Sequence, residues 1–324
     1  MFVLGLQGSP RNKGNTDILL SAFMEEVKRL GAITHTVDVA GEGVTPCLGC
    51  GVCEKKGYCP IDDNMQEIYF LLRRADIIVM ATPIYFYGPT AQLKALIDRT
   101  QALWVRSSIH KLADPGSRRR KGVLLAVGAT KGKNLFDGTT LSARYFFYAA
   151  GAEPSGAITV RQVDKAGEIN SRPDSLDKAR KLAVELVSPY LAGKTVLFVG
   201  RENICQSQMA GAFTRLYYGD EFEVETAGIT PGSKIDPIME EVMMEKGIDM
   251  AWLRPKSLEE ASASFGRPVD MVISVGCADQ RHHYPGVKFE EWGLPDPSGK
   301  SIDFMREIRD SIFEKVRQMW SVIA

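Results

Sequence analysis

No stretch of this 324-residue sequence approaches the ~20 consecutive apolar residues that span a bilayer, so no membrane-crossing helix is expected. Net charge is lacking too. Forty Lys and Arg balance forty Asp and Glu, and the cationic excess that neutralises nucleic-acid phosphates is missing. Histidine is scarce. Only His35, His110, His282 and His283 occur, none beside the main cysteine group, which argues against a mixed Cys/His zinc finger there. Gly, Pro and Arg interrupt the opening MFVLGLQGSPR, so it does not read as a secretory signal. The expected setting is cytoplasmic, where thiols stay reduced and clustered cysteines point to metal or redox chemistry.

What is present is an ordinary folding composition, 44% hydrophobic and 25% charged, so a core is expected. The length suits about two domains of ~150 residues. Strand and helix patterns alternate from the start. Residues 2–6 read as a buried strand, 15–30 as a helix with Leu19, Phe23 and Val27 on one face, and 33–39 as a second strand. A helix from Asp62 or Asp63 to about 75, a strand over 76–82, a helix over about 90–103 and a strand over 122–127 follow. A helix near 139–150, a short strand near 157–160 and a helix over 176–190 complete five β/α units. These fit a doubly wound, five-stranded parallel sheet. The pattern restarts with a strand at 194–199, a helix from Ser207, strands at 222–226 and 269–275, and a helix over 302–322. Two α/β domains are expected, 1–192 and 193–324, without internal repeats.

Three loops after strands carry ligand chemistry. GSPRNKGNT at 8–16 joins the first strand to the first helix, where a doubly wound sheet holds anions. Ser9, Asn15 and Thr16 can donate hydrogen bonds there, and Arg11 supplies a planar cation. The spacing is neither GxxxxGK[ST] nor GxGxxG, and the same residues also serve as helix caps and turns. The second loop, PIYFYG at 83–88, sets aromatics at a strand end, for a flat ring or for packing in the core or a subunit interface. The third, GATKG at 128–132, offers backbone N–H groups from Gly128 to Thr130. Cys47, Cys50, Cys53 and Cys59 have the compact spacing that folds one loop around one inorganic centre, and they suit a [4Fe–4S] cluster, tetrahedral zinc, or a reduced loop without metal.

The segments GSPRNKGNT, ATPIYFYGPTAQLKALIDR and PCLGCGVCEKKGYCPIDDNM together resemble the NADPH-dependent FMN reductase and iron–sulfur flavoprotein group of flavodoxin-like proteins, over about residues 1–192. The resemblance implies bound FMN, its phosphate held by Ser9, Arg11, Asn15 and Thr16 and its ring flanked by Pro83, Ile84, Tyr85, Phe86 and Gly88. At Gly128 and Thr130 the match is looser. It further implies a [4Fe–4S] cluster on Cys47, Cys50, Cys53 and Cys59, electron exchange with NAD(P)H or with a protein such as a ferredoxin, and a homo-oligomer. The basic run RRRK at 118–121 could meet the 2′-phosphate of NADPH, although charge runs are more often solvated.

VLFVGRENICQSQMA at 196–210 resembles the anion loop of low-molecular-weight tyrosine phosphatases and arsenate reductases, as do TAG at 226–228, ISVGC at 273–277 and WGLPDPSGK at 292–300. That chemistry needs a thiolate opening the loop, an arginine before its serine and an Asp-Pro acid. Here Gly200 occupies the nucleophile position and Gln206 the arginine position, while Asn203, Cys205, Ser207 and Asp296 are kept. Cys277 matches a relay cysteine, and Tyr284 stands near where another is expected. The expected protein is an FMN-dependent oxidoreductase fused to a degenerate phosphatase-type domain. The alternatives are an arsenate or phosphate enzyme fed electrons by the flavin domain, or a redox-linked protein binding an oxyanion or a partner.

Overall fold

A computed structural model describes residues 1–276 and 284–323. The chain divides into two compact units, the first comprising Met1–Lys111 and Arg119–Leu191, the second Leu112–Arg118 and the chain from Ala192 onward. Among the described residues no helix is long and apolar enough to cross a membrane.

The first unit is built on strands β1 (Phe2–Gln7), β2 (Ile33–Asp38), β3 (Ile77–Pro83), β4 (Lys121–Gly128) and β5 (Glu153–Arg161). All pair in parallel, in the order β2-β1-β3-β4-β5. β1 and β3 are mostly apolar, with Gln7 and Thr82 near their ends, because helices cover both faces of the sheet. Helix α1 (Asn15–Arg29) buries Leu19, Leu20, Phe23 and Val27 against Val3 and Val79, and helix α7 (Pro173–Ala192) adds Ala179, Ala183 and Val187 to that core. Between them in sequence lie α2 (Val52–Lys56), α3 (Met65–Arg74), α4 (Ala91–Arg99), α5 (Gln101–Ser108) and α6 (Asp137–Ala149). The single helix expected over 90–103 is two helices, with Thr100 between them. β5 begins earlier than its apolar residues do. It is an edge strand, and an edge tolerates Pro154.

The second unit holds β6 (Lys194–Gly200), β7 (Phe222–Gly228), β8 (Met271–Val275) and β9 (Lys288–Trp292), parallel in the order β7-β6-β8-β9. Its helices are α8 (Gln206–Tyr218), α9 (Pro237–Met244), α10 (Leu258–Ala263) and α11 (Ile302–Ile323). Val196 and Phe198 of β6 pack with α8, α9 and α11, while Leu197 and Val199 pack with Ala261 and Phe265 on the α10 side. That split follows from the two-residue side-chain period of a strand. Residues 112–118 join this unit through Ala113, whose N–H donates to Gly247 and whose carbonyl accepts from Asp249, at 2.7 and 2.9 Å.

Candidate functional site

In a fully parallel sheet every strand ends on the same edge, so the loops after β1, β2, β3, β4 and β5 share it. The strand order changes direction between β1 and β3, the point where such sheets leave a crevice. The loop after β1 starts with the Gly8 N–H donating to Ala81 at 2.8 Å. Ser9 donates its N–H to the Gln7 side chain at 3.0 Å, and its hydroxyl accepts the Arg11 N–H at 3.2 Å. The loop is therefore a tight, buttressed turn. Gly14 caps α1 without a side chain, so the first-turn N–H groups of α1 face the loop without a side-chain cap from that position. Thr16 is buried, Arg11 is exposed, and the Arg11 guanidinium reaches the Asp164 carbonyl at 3.5 Å. Asn15 is engaged elsewhere: its amide donates to Lys165 at 2.9 Å and accepts from the Ile169 N–H at 3.1 Å. Its side chain pins the loop after β5.

The loop after β3 is a two-residue hairpin. Tyr85 and Gly88 exchange both backbone hydrogen bonds at 3.0 Å, and Phe86 and Tyr87 between them have φ of +48° and +64°. Two consecutive positive φ values define a type I′ turn, which favours Asn and Gly; aromatic residues there are strained. Phe86 is fully exposed at 104%, with Tyr85 and Tyr87 about half exposed. These rings are not core residues, which removes the core-packing alternative. The Ile84 N–H donates to Val127 at 2.9 Å, and a Cβ added at Gly128 would lie 3.6 Å from Ile84. A Cβ at Gly132 would come within 2.9 Å of the Tyr87 hydroxyl, so the hairpin leans on the loop after β4. Pro83 ends β3, and Thr130 is exposed on the third loop. Thr82 and Thr90, at the base of the hairpin, did not stand out in the sequence. Thr90 is nevertheless readable as a helix cap, its hydroxyl accepting the Leu93 N–H at 3.3 Å.

The cysteine loop follows β2. Cys47 and Cys50 are exposed, Cys53 and Cys59 half-buried, and all four are free thiols. Gly49 and Gly51 have φ of +62° and +67°, a backbone that side-chain-bearing residues rarely adopt. These glycines alternate with cysteines and turn the chain tightly around them. Burial, and next the Cys59, Cys47 and Cys50 thiols, push the Cys53 thiol above its ordinary range. Cys53 is thus half-buried with the other three cysteines of the loop around it. Among the described residues no three Cys, His, Asp or Glu side chains stand as a ready-made site for a single metal ion.

The basic run at 118–121 is engaged in structure. Arg118 pairs with Asp220, and Arg119 with Asp76 while stacking on Tyr190. Arg120 is buried on the Ala75, Ala150 and Arg73 carbonyls, and Lys121 pairs with Glu153.

In the second unit, a cleft of about 240 Å³ is lined by residues 200–207, Asp236, Val275, Gly276 and residues 296–298. Buried Asn203 (φ +57°) holds the loop: its amide donates to Ser207 at 3.0 Å and accepts from the Lys256 N–H at 2.9 Å. A Cβ at Gly200 would fall 2.9 Å from the Ser207 hydroxyl. Gln206 donates to the Pro295 carbonyl at 2.9 Å, and a Cβ at Gly276 would meet its amide oxygen at 2.1 Å. It thus spans from the loop to the Asp296 segment as a plug. The Cys205 thiol is buried against the Met305 sulfur at 3.4 Å, and burial, with Asp236 and Asp296 behind it, drives it far above the thiol range. Hydrogen bonds from Ser298, aided by Arg201 and Lys300, hold the Asp296 carboxyl below its ordinary range; Arg201 lies 3.7 Å away. Tyr284 meets the Ser262 hydroxyl at 3.2 Å. Cys277, His282 and His283 lie outside the described residues.

Comparison with known proteins agrees with this division. Residues 1–160 match the family model for NADPH-dependent FMN reductase, and residues 195–324 that for low molecular weight phosphotyrosine protein phosphatase. An iron–sulfur flavoprotein of Methanocaldococcus jannaschii is 36% identical over 131 residues, covering 40% of this chain and 64% of that protein. One from Methanosarcina thermophila is 38% identical, over 40% of this chain and 65% of its own length. The chain thus spans just under two thirds of these flavoproteins. Arsenate reductase 2 of Staphylococcus saprophyticus is 33% identical over 39% of this chain and 96% of that protein.

Proposed function

This chain joins an NADPH-dependent FMN reductase domain to a domain that belongs to the arsenate reductase and low molecular weight phosphatase family, and from that premise we propose that it is an FMN-dependent oxidoreductase whose cysteine loop carries a [4Fe–4S] cluster. The observation that carries this reading is the shared sheet edge. The buttressed loop at the β1/β3 switch point, the exposed Tyr85–Gly88 hairpin and the loop of four free cysteines all follow strands ending there. When bound, FMN supplies hydride or single-electron chemistry and a four-iron cluster single-electron chemistry.

The chain's own residues divide the work. Arg11, the Ser9 turn and the first-turn N–H groups of α1 bind the phosphate, with charge-assisted hydrogen bonds as the main contribution. Asn15 also positions the loop through its side-chain amide. Ile84, Tyr85 and Phe86 present apolar and aromatic surface to the ring, and the Gly88 backbone lets it approach. Cys47, Cys50, Cys53 and Cys59 hold the cluster. NAD(P)H or a small electron-transfer protein is the proposed electron partner, in the cytoplasm, with the chain as a homo-oligomer.

The C-terminal unit is proposed to do no covalent phosphate or arsenate chemistry. Gly200 offers no nucleophile, Cys205 faces Met305, and Gln206 replaces the cation. Anaerobic addition of NAD(P)H to the FMN-loaded chain tests the oxidoreductase reading. Loss of the oxidised flavin band supports a nicotinamide donor. Loss only with a reduced electron-transfer protein supports the protein partner, and a flavin that neither reduces contradicts the reading.

A further inference from the structure

Arg99 ends helix α4 with its side chain wholly inside the protein, a rare place for a guanidinium. It grips Asp63 in a two-pronged pair, Nη1 to Oδ2 at 2.8 Å and Nη2 to Oδ1 at 3.0 Å. The same nitrogens donate to the Thr45 carbonyl at 2.9 Å and the Ile61 carbonyl at 3.3 Å. Thr45 lies just before Cys47, and Ile61 just after Cys59. One buried cation therefore holds both ends of the cysteine loop. Asp63 completes the closure by accepting the Thr45 N–H at 2.9 Å and the Met65 N–H at 3.1 Å. The Tyr69 hydroxyl anchors the Arg99 carbonyl at 2.6 Å.

Helix α5 supports the middle of the loop. The Arg106 guanidinium sits 4.7 Å from the Tyr58 ring centre, and a Cβ at Gly57 would come within 2.7 Å of it. His110 Nε2 lies 2.8 Å from the Glu54 carbonyl. The far end of α4 is Thr90, at the base of the aromatic hairpin.

We infer that Arg99 is the positioning residue of the cysteine loop, a buried clasp that draws residues 45 and 61–63 together and fixes the four thiols to the helix that begins at the flavin-side hairpin. The clasp stands on geometry alone; its redox consequence rests on the reading of the loop as a cluster site. Closing the loop before anything binds removes conformational freedom that a metal-free loop otherwise loses on loading. A cluster held by four thiolates carries net negative charge, so a nearby buried cation favours its reduced form.

The test compares the full-length chain with Arg99→Met, Arg99→Lys and Asp63→Asn. In metal-free protein, trypsin should cut at Lys55 or Lys56 about tenfold faster in Arg99→Met than in wild type, because breaking a buried pair frees the loop. Asp63→Asn should fall between them, and it carries the test if Arg99→Met does not fold. Flavin content serves as the folding control. After anaerobic loading with iron and sulfide, a chelator should strip iron about tenfold faster from Arg99→Met. The cluster potential should fall in Arg99→Met and stay near wild type in Arg99→Lys, which keeps the charge. Equal cleavage of wild type, Arg99→Met and Asp63→Asn with flavin retained overturns the clasp. An unchanged potential in Arg99→Met overturns its electrostatic part. If wild type takes up no iron, the cluster reading fails while the cleavage comparison still decides the clasp.

Discussion

The Thr90 hydroxyl donates to the Gly8 carbonyl across 2.6 Å, joining the loop after β1 to the hairpin after β3. The same oxygen accepts the Leu93 N–H and caps α4. Thr90→Val keeps the shape and removes both bonds, leaving a buried carbonyl unpaired. The expected cost is ~1–3 kcal/mol in stability, with FMN bound about tenfold more weakly as the two loops part. Flavin-fluorescence titration checks this; unchanged FMN affinity would show that the joint does not shape the site.

Arg11 tests the phosphate assignment separately from the ring. Its guanidinium makes one long contact, to the Asp164 carbonyl, so Arg11→Ala costs the fold little. A lost charge-assisted bond is worth ~1.5–3 kcal/mol, or about tenfold and upward in affinity. That loss is expected for FMN and not for riboflavin, which has no phosphate. Equal losses for both would move the role of Arg11 to the ring.

Gly200→Cys restores a thiol but not an enzyme. The new Cβ would crowd the Ser207 hydroxyl, and Gln206 still occupies the cation's place, tied to Pro295. Aryl-phosphate hydrolysis by this variant is expected to stay at background. Turnover from the single substitution would show that the loop is closer to competence than its geometry implies.

Asp296 carries a directional prediction. Ser298 and the nearby cations favour its charged form, so its folded pKa lies below the ordinary 3.8. A depressed carboxyl pKa stabilises the fold above the unfolded value, and this contribution is lost as pH falls through the folded one. Carbon-detected NMR titration should find Asp296 titrating below the ordinary carboxyl value. A value raised toward neutrality would restore it as an acid.

Much of the fold was legible because buried parallel strands are apolar runs; β1, β3, β4, β6 and β8 all read that way. β9 did not, since Lys288, Glu290 and Glu291 give an edge strand a polar look. The short helices α2, α9 and α10 lack enough turns to show a period. That the loops of the first unit share one sheet edge was legible, whereas the contacts of individual side chains were not. Asn15 turns toward the loop after β5, and Gln206 plugs a cleft, through partners distant in sequence. Arg99 was missed because pattern reading places arginine on the surface; its partners Thr45, Ile61 and Asp63 come together only in the fold.

The most direct test is the flavin, iron and sulfide content of the full chain, isolated anaerobically and supplied with FMN, iron and sulfide. The account predicts about one FMN with about four iron and four sulfide per chain, the metal lost when any of Cys47, Cys50, Cys53 or Cys59 becomes Ser. A chain that takes zinc alone, or binds flavin with no iron or sulfide, contradicts it.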